Sequence, residues 1–116
     1  MKKTTDYLHE ALEKLGDMPE GKKAETLKIH KNTLISYKNG ERIMDDYACI
    51  VIADLLGVDA LEIIAAANME REKNQARKDF WQDFRRKIGA LAIAGLMVLT
   101  MLVNPSQTSA KAPQGV

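Results

Sequence analysis

The chain has very little with which to build a covalent, metal-bound or sheet-based fold. A single cysteine, Cys49, excludes an intramolecular disulfide. It lies in the apolar run ACIVIADLL, which points to a buried structural thiol. Aromatic residues make up only 5% of the sequence and no stretch sustains period-2 alternation, which argues against sheets. No nucleophile-base constellation, phosphate loop or metal motif occurs, so neither an enzyme nor a cofactor is expected. His9 and His30 lack ligand partners at metal spacing and read as surface histidines. The N-terminal MKKTTDYLHE has no apolar h-region, so no cleavable signal peptide is expected. Beyond Lys87, Lys111 is the only charged residue.

What is present is helical patterning with uneven charge. Thr4 or Thr5 is placed to cap a first helix through about Leu15, with Leu8, Ala11, Leu12 and Leu15 on one face. Gly16 ends it. Asp17 and Glu20 have capping-box spacing for a second helix, with Pro19 suited to its first turn. That helix runs to about Lys28. A third, from about Lys31 to Lys38, stops at Asn39-Gly40, with Leu34 and Tyr37 facing the core. The link between the two is too short for anything but a tight turn, which is a helix-turn-helix arrangement. Asp45 caps a fourth helix, whose expected core is Tyr47, Ala48, Ile50, Val51, Leu55 and Leu56. Asp59 and Glu62 open a fifth, with Leu61, Ile63 and Ile64.

From Gly21 to Arg42 there are six bases against Glu25 and Glu41. From Ile43 to Glu62 there are five acids and no base. A basic face beside an acidic one is a local footprint for a polyanion.

No proline or glycine interrupts Asp59 to Lys87, and MEREKNQARKDFWQDFRRK is highly charged. The stretch reads as a helical connector, either a solvated spacer or a helix lying on a partner or a membrane surface. Residues 88–103 carry no charge and as helix span about 24 Å, short of a hydrocarbon core of roughly 30 Å. Mismatch of that size is cheap, and a single transmembrane helix is the expectation, with a buried or dimerising soluble helix as the alternative. Trp81, Phe84, Arg85, Arg86 and Lys87 would then lie at the membrane interface, with the N-terminal domain in the cytoplasm of a bacterium and the span in its inner membrane. Ala90 and Ala94 give a weak small-xxx-small spacing. The tail 104–116 is polar and expected to be disordered.

Residues 19–64 resemble the Cro/C1-type (Xre) helix-turn-helix family of phage and bacterial regulators. The likeness rests on Ala24 in KAETLKI, on IHKNTLISYKNG, and on YACIVIADLLGVDALEII with its A-x-x-L-G-V run at Ala53, Leu56, Gly57 and Val58. With its apolar end, the chain is also similar to small membrane-anchored, phage-associated helix-turn-helix proteins. The patterning gives an all-α five-helix bundle over 1–66, of the Cro/C1-type the resemblance implies, followed by the connector 67–87, the transmembrane helix 88–103 and the tail.

It implies double-stranded DNA as partner, read in the major groove by a regulator of transcription, with a homodimer to read two half-sites. Lys31, Asn32 and Ser36 would hold base-reading positions. Lys22, Lys38, Asn39, Gly40 and Arg42 would touch phosphates. Three positions depart from the family pattern: Glu20 stands where glutamine is usual, Lys23 where leucine is, and Lys28 where many members have glycine. Ile35 flanks the outward face, for a thymine methyl or a protein. The order of parts is also similar to the RodZ family of rod-shape adaptors, whose helix-turn-helix domain binds a cytoskeletal protein, so a protein-binding adaptor is the alternative.

Overall fold

The computed structural model describes the backbone of residues 2–102 and the side chains of residues 2–90. Among these, the chain is entirely α-helical: α1 Thr4–Leu15, α2 Glu20–Leu27, α3 Lys31–Lys38, α4 Asp46–Leu56, α5 Ala60–Arg71 and α6 Gln75–Leu102. The first five form a bundle around Leu8, Leu12, Leu27, Leu34, Tyr37, Met44, Cys49, Ile52 and Ile63, all buried. Each such aliphatic side chain removed from water contributes roughly 1.5–3 kcal/mol. Cys49 sits deep in this core, and burial pushes its thiol pKa up to about 12. It is inert packing at neutral pH.

Several helix ends are built as the sequence suggests. Asp45 accepts from the Ala48 N–H at 2.9 Å and Asp59 from the Leu61 N–H at 2.9 Å. Gly57 closes α4 in the left-handed region, φ 74°. Others differ. Lys3, not a threonine, occupies the N-cap of α1, because Thr4 is drawn inward. The Thr4 N–H and hydroxyl both donate to the Glu70 carboxylate, each at 2.7 Å. Asp17 does not cap α2; Pro19 holds that position without a side-chain bond, and Glu20 turns to Lys38 instead. Glu62 makes no capping box, because it accepts from the Tyr7 hydroxyl at 2.6 Å.

The expected core of α4 is rotated. Cys49, Ile52 and Ala53 face inward with Ala48, while Tyr47 and Ile50 are 51% and 44% exposed. In α5, Leu61 is likewise 48% exposed. An apolar run cannot by itself say which residues face in, since nearly every position in it is apolar.

The connector is the largest difference. α5 continues through Arg71, so the junction at 66–67 falls inside a helix. The chain breaks at residues 72–74, and α6 folds back to pack along α5. Ala65, Ala66 and Ala67 are all fully buried, although three successive residues sweep about 200° of a helix. Only a helix covered on opposite sides can bury such a run. Ala66 and Ala67 belong to the core, while Ala65 lies outside it, on the side left for α6.

Arg85 locks this return. Its guanidinium donates to the Lys2 carbonyl at 2.6 Å and to the Tyr7 hydroxyl at 2.9 Å. It is therefore buried, 6% exposed, and is no membrane-interface residue. Ile88 is buried as well, so the first residue of the apolar run still belongs to the globule. Among the described residues, no helix is long and apolar enough to cross a membrane. Most of the expected span and the whole tail 104–116 lie outside the described side chains.

Candidate nucleic-acid interface

α2 and α3 are joined by Lys28, Ile29 and His30. Lys28 is left-handed, φ 57° and ψ 40°, which lets the Ile29 N–H reach back to the Ala24 carbonyl at 2.9 Å. Ile29 then tucks against the core and the chain reverses. Ala24 and Leu27 anchor α2 from beneath, and Leu34 and Tyr37 anchor α3. With α3 held by those two residues, Lys31 and Asn32 are left exposed on its first turn. Ser36 and Ile35 are half-buried beside them.

His30 is the N-cap. Its Nδ1 accepts from the Asn32 N–H at 3.2 Å, which leaves the proton on Nε2 as an outward donor beside Lys31. His30 is at the surface, as the sequence suggests, and is also this cap. Its signal was its place, one residue before the lysine that opens the helix.

The residues expected to touch phosphates divide. Lys22 is exposed, with a loose pairing to Glu25 at 3.4 Å. Arg42 is exposed, 3.5 Å from the Thr33 hydroxyl and over the Tyr37 ring at 5.5 Å. Asn39 is exposed through its side chain, since its N–H donates to the Ile35 carbonyl at 3.0 Å. Gly40 has only its N–H to offer, and that donates to the Tyr37 carbonyl at 3.2 Å while its φ of 76° ends α3. Lys38 is ion-paired with Glu20. These two are structural: Gly40 turns the chain, and Lys38 clips α3 to the start of α2. The pairing also disposes of the repulsion that a free Glu20 would present to a phosphate.

Lys22, Lys31, Asn32, Asn39 and Arg42 thus remain as exposed polar groups on the α2–α3 unit, with His30 added. An open cleft of about 570 Å³ lies behind it, lined by His9, Glu13, Asp17, Lys23 and Lys38 among others. Its charges are mixed, and no group of residues able to hold a metal ion occurs among those described. No family model matches the chain, and neither a curated protein nor a solved structure matches it.

Proposed function

We propose that this chain is a helix-turn-helix DNA-binding regulator of the phage or prophage type, tethered at its C-terminus to the bacterial inner membrane. The observation that carries the reading is the first turn of α3: Lys31, Asn32 and the His30 edge stand exposed, while Leu34 and Tyr37 fix the helix from behind. Asn pairs with adenine and Lys with guanine, each good contact worth roughly 1–3 kcal/mol. Lys22 and Arg42 flank the helix as phosphate groups. The tether would be the C-terminal part of α6, with Arg86 and Lys87 exposed ahead of its apolar residues.

The test is a titration of the full-length chain on mixed-sequence duplex at 50 and 200 mM salt. Affinity should fall by an order of magnitude or more, as counterion release requires for several phosphate contacts. Lys31→Glu with Arg42→Glu should abolish binding. Weak affinity that is flat with salt would remove the regulator reading. The protein-binding adaptor has its own support: Lys38 is spent on Glu20, and apolar side chains stand exposed on the acidic side at Tyr47, Ile50 and Leu61.

A further inference from the structure

The large exposed hydrophobic residues fall into two patches of opposite charge. The first lies on α4 and the start of α5. Asp46, Tyr47, Ile50 and Asp54 share an arc of about 100° on the solvent side of α4, and Leu61 follows across the Gly57 turn. Asp45 and Asp59 are spent on caps and Glu62 on Tyr7. Asp46 and Asp54 remain exposed on that arc.

The second patch is on α6. Arg77, Phe80, Phe84 and Lys87 follow one strip at i, i+3, i+7 and i+10. Phe80 is 60% exposed; its ring stacks on Phe84 at 6.4 Å and meets Trp81 edge-on at 5.3 Å. Arg77 touches Glu72 at 3.0 Å but leaves most of its guanidinium in solvent. Lys87 is exposed.

We infer that the α6 strip of one copy docks on the α4 face of a second copy. Each strip is apolar in the middle and charged at its ends, with opposite sign. Asp46 and Asp54 are about 12 Å apart along α4, and Arg77 and Lys87 about 15 Å apart along α6. Running alongside each other, the two helices place Phe80 and Phe84 against Tyr47 and Ile50, with cations meeting carboxylates at the rim. Like patches do not suit each other, since α4 against α4 sets aspartates face to face. Lipid could reach only the Phe84–Lys87 end of the α6 strip, whereas a second copy can cover its whole length. Phe80 lies about 12 Å ahead of Ile88, beyond a headgroup layer of roughly 5–8 Å. The inference is independent of DNA binding.

The test is sedimentation of the full-length chain in neutral detergent across a concentration series, with three preparations. The unaltered chain should self-associate. Asp46→Lys with Asp54→Lys, and separately Arg77→Glu with Lys87→Glu, should each weaken association at least tenfold. An equimolar mixture of the two altered chains should recover it, because the reversed charges again complement. Circular dichroism melts check that both altered chains are folded. A chain that stays monomeric throughout overturns the inference. So does association that neither reversal weakens, or that mixing does not restore. Loss of binding to anionic phosphatidylglycerol vesicles by the α6 variant, with association unchanged, would assign the strip to lipid instead.

Discussion

Lys28 is the one non-glycine residue with positive φ among the described residues. For an L-residue the left-handed region costs roughly 1–2 kcal/mol, which glycine avoids while losing roughly 0.5–1 kcal/mol to its greater chain entropy. The residue is exposed, so its side chain brings no packing in return. Lys28→Gly should therefore raise stability by about 0.5–1 kcal/mol in urea unfolding, with no change in helix content. A loss of stability would mean that the lysine makes a compensating contact. The same substitution removes a charge next to α3, so on the proposed function a modest fall in DNA affinity should accompany the gain in stability.

At the scale of the element, α6 is held by a chain of three groups. The Tyr7 hydroxyl accepts from Arg85 and donates to Glu62, placing one hydroxyl between a buried cation and a carboxylate. Burial, with Glu62 accepting from the hydroxyl, raises the Tyr7 pKa, so the neutral bridge persists at ordinary pH. Tyr7→Phe would leave Arg85 buried with only the Lys2 carbonyl, at a cost of about 2–4 kcal/mol. Arg85→Met removes the charge itself and leaves the Tyr7–Glu62 bond intact, so it should cost about 1 kcal/mol or less. Chemical denaturation of the two variants decides the order. If Arg85→Met were the more damaging, the guanidinium would be stabilising in its own right and not through the hydroxyl.

This docking was the part least legible in sequence. The bundle helices, Asp45 and Asp59 as caps, and Leu34 with Tyr37 as anchors of α3 follow from local periodicity and capping chemistry. The fold-back of α6 rests on contacts between residues nearly eighty apart, and its charged sequence gives no sign that one arginine is buried. Glu20 was equally opaque: at eighteen residues' remove, nothing marked Lys38 as its partner. Of the interface, the exposed start of α3 was readable, while the engagement of Lys38 and of the Gly40 N–H was not.

For the whole molecule, the proposed tether and the proposed DNA face must be able to work together. α1 is the strut between them. Its first turns carry Thr4 and Tyr7, which meet Glu70 and Arg85, while His9, Leu12, Glu13 and Gly16 border the cleft shared with Lys23 and Lys38. Thr4 and Gly16, at its two ends, are about 18 Å apart, while Tyr7 and His9, where the two regions meet, are about 3 Å apart along the axis. α6 itself runs on past Ile88 to Leu102, so the proposed span begins one turn beyond Arg85, which meets α1 at Tyr7. If the proposed span holds α3 clear of the bilayer, the proposed DNA binding should survive attachment. Full-length chain reconstituted on neutral vesicles should bind duplex with an affinity within about threefold of that in detergent, at equal salt. Neutral lipid is the proper surface, since anionic headgroups would repel the duplex for reasons unrelated to geometry. A chain that binds DNA in detergent but not on vesicles would place α3 against the bilayer. A chain that fails to stay with the vesicles would remove the tether while leaving the DNA face untouched.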